Sequence, residues 1–341
     1  MPKTLLFDLV DGKPELQLRE LALRDPGPGE VRYAVHAIGV NRADIAYMEG
    51  GHYTRTTFPS RICYEACGIV DAVGPDVTGF AVGDRVSAIP FGDHKYCVGG
   101  ESAITPARYL ASWPEGFSAA EAAATYMQYF TAYFPLRELA CVGARDAVLV
   151  TAASSSAGLG AIQMAKLLGA TVIASTRTND KREFLMGAGA DYVVATSDGG
   201  VSEQIMGCTG GRGVRVVYDA VAGRFIYEYA DSVAEDAQIF IYGAVAGDST
   251  VQAPILPLIR KGAVIRLYSL INYLRDPIAT DRARRFIELA LRAQALRPFV
   301  DRVFALEDAA AAFAYMRSGV QKGKIVLLSA HGRGGRDAAV S

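Results

Sequence analysis

The stretch Ala147–Thr176, AVLVTAASSSAGLGAIQMAKLLGATVIAST, has the pattern of a strand, a turn of small residues, a helix and a second strand. Its mostly apolar start is typical of a strand that is buried on both faces. Ala153, Ser155 and Gly158 fall on the spacing of G-x-G-x-x-G, with small residues in place of the first two glycines. Such a turn lets backbone N–H groups approach the pyrophosphate of a dinucleotide at the helix N-terminus. The sequence therefore predicts a dinucleotide-binding unit, with a serine-rich turn of another α/β fold as the alternative.

The end of the second strand indicates which dinucleotide binds. Thr176 and Arg177 stand where an NAD-preferring site usually carries an Asp or Glu for the ribose 2′-hydroxyl. A guanidinium forks onto phosphate oxygens and Lys181 adds a second cation, so this end suits the 2′-phosphate of NADPH. Asp180 is expected in the first turn of the next helix rather than on the ribose. We therefore predict NADPH rather than NADH, with a solvated loop cation as the alternative for Arg177.

The composition argues against several classes of partner and location. The chain has 341 residues, which suggests about two domains, and its 35 basic and 36 acidic residues give no sign of binding to nucleic acid or to a membrane surface. The N-terminal residues mix acids with apolar residues, unlike a signal peptide, and the uncharged stretch 147–165 has a serine and glycine centre, unlike a membrane span. Five cysteines suit reduced thiols in a cytoplasmic protein.

Two kinds of pattern divide the chain. Residues 1–123 are rich in short strand signals and turns, which predicts a β-rich domain. Residues 124–263 alternate strand and helix patterns, which predicts a parallel sheet with right-handed crossovers. The tail 331–341 is poor in apolar residues and is expected to fray.

A series of motifs runs in order through nearly the whole chain. They are Gly39–Asp44, Gly51–Tyr53, Glu65, Gly74, Gly79–Phe80, Val82–Val86, Thr131–Ala132, Ala152–Lys166, Gly187–Val193, Val217–Asp219 and Gly319–Lys324. In this order they resemble the medium-chain dehydrogenase/reductase superfamily, and within it the zinc-free quinone oxidoreductase branch. The resemblance implies an α/β protein with two domains. One is a GroES-like β-rich catalytic domain formed by residues 1–123 and 264–330, and the other is a Rossmann domain with a doubly wound parallel sheet, formed by residues 124–263.

Zinc-dependent members of the superfamily hold a catalytic zinc on a Cys, a His and a second Cys. At the matching positions this chain carries Asn41 and its neighbours, then Tyr64, and then Gln128 or a neighbour of it. Asn and Tyr are poor zinc ligands. The lobe that binds a structural zinc needs four closely spaced cysteines, and only Cys97 lies there. We therefore expect no metal.

The resemblance also implies the catalytic residues. It places Asn41 and Tyr53 beside the nicotinamide and the substrate, with Tyr53 donating a hydrogen bond or a proton to the substrate oxygen and Asn41 orienting substrate or water. Tyr64 and Gln128 are expected to face the same cavity and to act likewise. The alternatives are that Tyr53 only lines the cleft, that Asn41 only holds a turn, and that Asp44 caps a helix.

Further cofactor contacts are expected where parallel strands end, because ligands of open α/β sheets lie at their carboxyl ends. The full set of expected cofactor-binding residues is Thr131, Ser154, Ser155, Ser156, Ala157, Gly158, Thr176, Arg177, Lys181, Tyr192, Gly243, Ala244, Val245, Ser269, Leu270 and Lys324. Within this set, Tyr192 is expected near the adenine phosphate and Lys324 near the nicotinamide.

Without a metal, a quinone or an α,β-unsaturated carbonyl is the expected small-molecule substrate, because either spreads the charge that hydride transfer creates. The predicted function is therefore zinc-independent, NADPH-dependent reduction of such a substrate. An enoyl-thioester reductase or another specialised biosynthetic reductase is the alternative, and a thioester carried on CoA would need a basic entrance. Its candidates are Arg137, Arg275, Arg282, Arg284 and Arg285. A non-catalytic NADPH sensor is a third reading, and a homodimer paired through the edge strand Val264–Ser269 is expected by resemblance.

Overall fold

The structure is a computed structural model that describes residues 1–52, 54–247 and 250–334. It divides into two units, one formed by Met1–Met127 with Arg297–Ser341 and the other by Gln128–Leu296. The strands are β1 (Lys3–Val10), β2 (Lys13–Glu20), β3 (Glu30–Val40), β4 (Ser60–Arg61), β5 (Glu65–Val73), β6 (Arg85–Ala88), β7 (Ser102–Pro106), β8 (Leu110–Ser112), β9 (Ala147–Val150), β10 (Thr171–Thr176), β11 (Tyr192–Ala195), β12 (Val214–Asp219), β13 (Val233–Ile241), β14 (Val264–Leu267), β15 (Val300–Ala305) and β16 (Lys324–Leu328). The α-helices are α1 (Arg42–Met48), α2 (Ala119–Ala123), α3 (Tyr126–Tyr133), α4 (Ser156–Leu167), α5 (Arg182–Gly187), α6 (Val201–Cys208), α7 (Ile226–Tyr229), α8 (Ile255–Arg260), α9 (Leu270–Tyr273), α10 (Pro277–Arg292), α11 (Ala309–Ser318) and α12 (Ala330–Arg333).

The second unit is built on a six-stranded parallel sheet in the order β11-β10-β9-β12-β13-β14. This order reverses direction beside β9, as in a Rossmann fold. The three apolar residues that end β9 are fully buried, which explains why its sequence shows no alternation of polar and apolar positions. The left-handed Gly169 (φ +88°) follows α4 and lets the chain turn into β10. The predicted strand, turn, helix and strand of Ala147–Thr176 are therefore confirmed.

The first unit contains a seven-stranded sheet in the order β15-β16-β3-β5-β6-β8, with β7 also paired to β3, and a smaller sheet in the order β2-β1-β4. Apart from the parallel pair β15 and β16, the neighbouring strands of this unit run antiparallel. The long strand β3 is central, and its residues 37–40 are buried. The predicted β-rich first domain is confirmed.

Two segments differ from the expected domain boundaries. Residues 124–127 were expected in the Rossmann domain, whereas the structure groups them with the first unit. Residues 264–296 were expected in the catalytic domain, whereas the structure groups them with the second unit. The reason is that β14 pairs in parallel with β13 and so completes the six-stranded sheet. The return to the first unit comes at Arg297, before β15.

Each unit has its own apolar core. In the first unit Phe7, Tyr33 and Phe313 are fully buried, and in the second Leu149, Ile173 and Val217 lie in the sheet interior. Among the residues that the structure describes, no helix is both long enough and apolar enough to cross a membrane. The expected frayed tail lies, apart from its first residues, outside the described part of the chain.

Candidate active site

The turn after β9 is organised by its own serines. Ser155 is the N-cap of α4, and its Oγ accepts a hydrogen bond from the backbone N–H of Gly158 at 3.1 Å. The N–H of Ser155 in turn donates to the carbonyl of Ala152, whose φ of +45° turns the chain sharply. This arrangement presents the N-terminus of a twelve-residue helix, where unpaired N–H groups and the helix dipole favour an anion.

Gly158 permits a close approach of backbone to backbone. A Cβ at this position would lie 2.6 Å from the carbonyl oxygen of Ala153 and 2.8 Å from that of Ala152. No larger residue fits here without a shift of the backbone. Together with the small side chains of Ser154, Ser156 and Ala157, this leaves a shallow cradle that fits a pyrophosphate.

Cationic side chains lie beside this turn, where β10 ends at Thr176. The Lys181 ammonium donates to Ser154 Oγ at 2.9 Å, and this hydrogen bond holds the lysine against the turn after β9. Arg177 is exposed, and its carbonyl accepts the N–H of Ser197 at 2.9 Å, which fixes the backbone that carries the guanidinium. Asp180 accepts a hydrogen bond from the hydroxyl of Thr178, as expected of a residue in the following turn. The donor set therefore fits a phosphorylated ribose better than a free 2′-hydroxyl.

A buried carboxylate organises the neighbouring strand ends. Asp219, the last residue of β12, accepts hydrogen bonds from Thr151 Oγ1 at 2.7 Å, from Tyr229 Oη at 2.9 Å and from the N–H of Val221 at 2.8 Å. The same Thr151 hydroxyl accepts the N–H of Ala220 at 2.9 Å. Asp219 thus joins the ends of β9 and β12. The sequence motif contained this residue but gave no indication of its partners.

The residues that follow β13 also lie at this edge. The N–H of Val245 donates to the carbonyl of Ala220 at 2.9 Å, and a Cβ at Gly243 would lie 2.9 Å from the same oxygen. Gly243, Ala244 and Val245 therefore run close to the end of β12, and the N–H of Val245 is already used within the protein. Ser269 and Leu270 follow β14 and begin α9.

Three buried tyrosine hydroxyls at these strand ends have no hydrogen-bond partner among the described residues. They belong to Tyr218 in β12, Tyr242 directly after β13, and Tyr268 directly after β14. The rings of Tyr218 and Tyr242 stack at a centroid distance of 4.1 Å. Their hydroxyl oxygens are closed off from solvent, and burial raises the pKa of all three tyrosines, so they are neutral groups in the interior of this edge.

In the first unit, a buried polar cluster joins three neighbouring strands. Glu65 at the start of β5 forms an ion pair with Lys324 at the start of β16 and accepts a hydrogen bond from Asn41 Nδ2 at 2.9 Å. Lys324 Nζ also donates to Asn41 Oδ1 at 2.7 Å, and the N–H of Met127 donates to Glu65 Oε2 at 3.1 Å. A Cβ at Gly39 would lie 2.6 Å from Glu65 Oε1, so the glycine of this motif makes room for the carboxylate.

The position of Lys324 does not support its expected role at the nicotinamide. Its side chain is fully buried, and its ammonium is held by Glu65 and Asn41. Removing such a charge from this pair would leave the carboxylate buried and unpaired, which is costly. Lys324 therefore holds the site together from within the first unit.

Asn41 is the N-cap of α1, and Asp44 reaches back to it. Asp44 Oδ2 accepts the backbone N–H of Asn41 at 2.7 Å, whereas its Oδ1 is buried with no hydrogen-bond partner among the described residues. Burial is the main cause that raises the pKa of Asp44 to about 8, and the nearby Glu65 adds to the rise. Asp44 is therefore protonated near neutral pH, and its predicted capping role is consistent with the structure.

Tyr64 lies next to Glu65 in sequence and belongs to an aromatic group. Its hydroxyl is 2.7 Å from His94 Nε2, and the His94 ring stacks on Tyr47 at 3.8 Å. His52 lies within about 6 Å of both Tyr64 and His94, measured between ring centroids. Burial lowers the pKa of His94, and it lowers that of His52 to about 4, with His94 as a smaller cause. Tyr53, the expected donor, lies outside the described residues, so its role stays a prediction.

Three other expected residues have clear positions in the structure. Gln128 is almost fully buried in α3, and Thr131 is buried on the same helix. A Cβ added at Gly160 would lie 3.1 Å from the Cβ of Gln128. Tyr192 begins β11 in register with Ile173, three residues before the carboxyl edge at Ala195 and Thr176. That distance does not support the predicted contact of Tyr192 with the adenine side. The residues that do reach this edge are Thr196 and Ser197, both bonded to the Arg177 carbonyl.

The described residues include no group of three or more His, Cys, Asp or Glu side chains that could hold a metal ion. Their five cysteines form no disulfide, and Cys63, Cys67 and Cys97 are buried. The side chains at the positions of zinc ligands, Asn41, Tyr64 and Gln128, are hydrogen-bonding groups rather than metal ligands.

Comparison with known proteins agrees with this geometry. Residues 27–134 match the alcohol dehydrogenase GroES-like domain family, and residues 157–289 match the family described as zinc-binding dehydrogenase. The chain is 32% identical over 317 residues to bovine quinone oxidoreductase-like protein 2, covering 92% of this chain and 89% of the relative. It is 30% identical over 316 residues to a 2-haloacrylate reductase of Burkholderia, covering 91% and 93% respectively. The structure superposes on Escherichia coli quinone oxidoreductase complexed with NADPH with a TM-score of 0.86 and 27% identity, covering 96% of this chain and 99% of the other.

The raised pKa of Asp44 predicts a pH-dependent stability. Because the folded chain binds this proton more tightly than the unfolded chain, the stabilisation is present at low pH and is lost as the pH rises toward about 8. Over this range the free energy of unfolding should fall by about 1.4 kcal/mol per pH unit from this group. Asp44→Asn keeps an acceptor for the N–H of Asn41 and should flatten the slope, as measured by urea unfolding at pH 5, 6.5 and 8.

The exposed Asp25, whose side chain is 98% accessible, provides the matched control. Asp25→Asn should leave the pH slope of the wild-type chain unchanged. Equal slopes for Asp44→Asn and the wild type would mean that Asp44 is ionised in the folded chain.

Proposed function

Because the chain belongs to the quinone oxidoreductase branch of the medium-chain dehydrogenase/reductase superfamily, we propose that it reduces a quinone or an α,β-unsaturated carbonyl without the help of zinc. It is an NADPH-dependent oxidoreductase with a small-molecule substrate. When bound, NADPH supplies the hydride. Two features carry the proposal: one unit has an anion cradle with two cations, and the other unit has a set of neutral hydrogen-bonding side chains.

We propose that Ser154–Gly158 hold the pyrophosphate and that Arg177 and Lys181 hold the 2′-phosphate. The Ser155 cap keeps the first turn of α4 in place, while the tie between Lys181 and Ser154 brings a positive charge to the same turn. Tyr242, Gly243 and Tyr268 lie where the adjacent strands end, and Gly243 is a further proposed cofactor contact.

The substrate side of the proposal rests on Asn41 and Tyr64, with Tyr53 and Gln128 as further predicted contacts. Asn41 Nδ2 donates to Glu65 and to the carbonyl of Gly39, and its Oδ1 accepts from Lys324. The amide is therefore held by the protein on both sides, since its oxygen also accepts from the backbone of Asp44 in the capping box of α1. Tyr64 is then the described side chain best suited to donate to a substrate oxygen.

We propose zinc independence on the basis of the donor set of this chain, although one matching family model carries zinc in its description. The cluster around Asn41 is already neutral as a whole, because Lys324 balances Glu65 and burial keeps Asp44 protonated. A quinone or an enone spreads the negative charge that develops during reduction over several atoms. Hydrogen bonds from neutral side chains are enough for such a substrate, whereas an isolated ketone benefits more from a Lewis acid.

The enoyl-CoA alternative receives less support from the described surface. Three of the arginines proposed for a basic entrance are engaged within the protein: Arg282 with Glu138 at 2.7 Å, Arg284 with Glu288 at 3.0 Å, and Arg285 with Asp281 at 2.7 Å. These ion pairs offset much of the positive charge that the phosphates of CoA would need. All three arginines belong to the solvated face of α10, where charged side chains ordinarily lie.

A homodimer is proposed from the edge of the six-stranded sheet. Strand β14 ends the sheet, and Leu267 is 71% exposed there. On the neighbouring α8, Ile255, Leu256 and Ile259 are also largely exposed. An open strand edge flanked by apolar side chains is suited to pair with its copy across a twofold axis.

The first test of the proposed function is NADPH oxidation in the presence of EDTA. We expect turnover with 1,4-benzoquinone, 9,10-phenanthrenequinone or 2-cyclohexenone, and slower turnover with crotonyl-CoA or when NADH replaces NADPH. Reaction with crotonyl-CoA alone would favour the thioester alternative. Binding of NADPH without turnover of any acceptor would favour the sensor reading.

Arg177 should set the preference for NADPH over NADH. A charge-assisted hydrogen bond contributes about 1.5–3 kcal/mol, so Arg177→Ala should raise the Kd for NADPH about tenfold or more and leave that for NADH nearly unchanged. Fluorescence titration with both nucleotides measures this. Arg212→Ala is the control, because Arg212 is bonded to the carbonyl of Thr209 away from the turn, and it should change neither Kd. An equal loss for both nucleotides on Arg177→Ala would contradict the assignment.

The proposed dimer predicts a defined change of mass. The wild-type chain should elute with a mass of about 73 kDa, twice 36.3 kDa, and the double variant Leu267→Arg/Ile259→Glu should elute as a monomer in size-exclusion chromatography with light scattering. Met186→Arg changes an exposed apolar residue near β11, at the opposite edge of the sheet, and should leave the dimer intact. A dimer that survives the double variant would place the interface elsewhere.

A further inference from the structure

Tyr64 and His94 lie in contact although thirty positions separate them in the chain. Their contact joins the phenolic oxygen and the Nε2 atom at 2.7 Å, a normal hydrogen-bond length between neutral groups. Tyr64 stands where zinc-dependent members of the superfamily carry a zinc ligand, and in this chain His94 is the partner of its hydroxyl. The histidine provides a partner for the hydroxyl that a small side chain would not use.

The backbone holds these two side chains in register. The N–H of Val98 donates to the carbonyl of Cys63 at 2.9 Å, and the N–H of Gly99 donates to that of Ile62 at 2.9 Å. These bonds fasten the segment after His94 to the segment before Tyr64. Cys63 itself has a φ of +74°, an unfavourable value for a residue with a side chain. This strained backbone conformation lies directly before Tyr64, and such conformations are common at functional positions.

The imidazole of His94 is fixed on its other side as well. It stacks on the ring of Tyr47 with an interplanar angle of 27°, and the Tyr47 hydroxyl lies 3.0 Å from Ser60 Oγ. His94 also begins a short 3₁₀ turn that Asp93 caps. Its ring is only half-buried, so solvent can exchange protons with it.

We propose that Tyr64 and His94 form a relay that delivers the proton required at the substrate oxygen. This inference rests on the proposed reductase function and names the proton source for it. Reduction adds one hydride to the substrate and leaves a negative charge on its oxygen. Tyr64 Oη–H gives its proton to that oxygen, His94 Nε2–H passes its proton to Tyr64 Oη, and a water molecule gives a proton to His94 Nδ1 and becomes hydroxide. Exchange of the ring proton with solvent then returns His94 from the Nδ1–H form to the Nε2–H form. The substrate has then taken up one hydride and one proton, the hydroxide is released to solvent, and both side chains are restored.

The groups around the imidazole favour this neutral relay. His52 from the loop after α1 and Tyr47 from α1 itself face the ring, and Asp93 is the acid beside it. Burial lowers the pKa of His94 despite the opposing effect of Asp93, and the pKa of His52 falls to about 4. At neutral pH both imidazoles are therefore uncharged, and His94 holds one ring proton that it can pass on.

The test uses Tyr64→Phe, His94→Phe and the double variant. Phenylalanine keeps the aromatic ring at each position, including the one stacked on Tyr47, and removes only the atoms that exchange protons. With 2-cyclohexenone, kcat should fall at least tenfold in each single variant, and the double variant should be no slower than the slower single variant, since the two residues act as a unit. KM and the Kd for NADPH should stay within about twofold. With 1,4-benzoquinone the loss should be smaller, because the hydroquinone anion is stable enough to leave without enzymatic protonation.

The pH profile separates the relay from a packing role. For the wild type, kcat with 2-cyclohexenone should be nearly level from pH 6 to 8. In the variants it should fall about tenfold per pH unit as the pH rises, because the solvent must then supply the proton. Tyr96→Phe is the control, since Tyr96 shares the 3₁₀ turn with His94 but its hydroxyl donates to Glu30; it should behave as the wild type.

Each contrary result has a distinct meaning. A wild type that oxidises NADPH with neither acceptor would overturn the proposed function and the relay with it. An active wild type would overturn the relay alone if the variants lost activity equally on both acceptors, if their pH profiles stayed level, or if the losses of the two single variants multiplied. A loss in Tyr96→Phe equal to that in His94→Phe would assign the effect to the turn and also overturn the relay.

Discussion

The buried ion pair between Lys324 and Glu65 is the constraint on which the first unit depends. The two residues lie 259 positions apart in the chain, on strands that flank β3 in the sheet order β16-β3-β5. Burying either charge alone would be very costly, so the folded sheet must bring both together and must place a hydrogen-bonding partner beside them. Asn41, at the end of β3, is that partner. The motif around Asn41 and the sheet register therefore specify each other.

The second unit solves a similar problem with a single carboxylate. Asp219 is satisfied by hydroxyl and backbone donors from the end of β9, from α7 and from its own turn. A carboxylate with several good donors is stable when buried, because each charge-assisted hydrogen bond contributes more than a neutral one. The result is a rigid edge at which the ends of β9 and β12 are fixed. The turn between β9 and α4 and the residues after β13 both extend from this edge.

The sequence predicted what depends on local patterns. The strand, turn and helix of Ala147–Thr176 were correct because buried parallel strands, serine caps and a glycine after a helix all leave signals within a few residues. The unit to which residues 264–296 belong could not be read from local patterns, because it is decided by the pairing of β14 with β13. The expected position of Lys324 at the nicotinamide was not supported for a similar reason, because its hydrogen-bond partners come from distant parts of the chain. Tyr192 was assigned to the carboxyl edge although it begins its strand, a shift of three residues that sequence patterns do not resolve.

His94 shows most clearly why a site is harder to predict than a fold. Taken alone in the sequence, it has no paired spacing with another ligand or nucleophile, and its segment reads as an ordinary turn. Its role in the proposed relay comes from its contact with Tyr64. A small side chain at position 64 would leave the imidazole without this partner. A site that lacks strong charge must provide its proton through hydrogen-bonded neutral groups, and such groups are effective only when the fold holds them at contact distance, as the bonds between residues 62–63 and 98–99 do here. Tyr64 is thus best understood together with the loop that carries His94, since the proposed relay needs both residues.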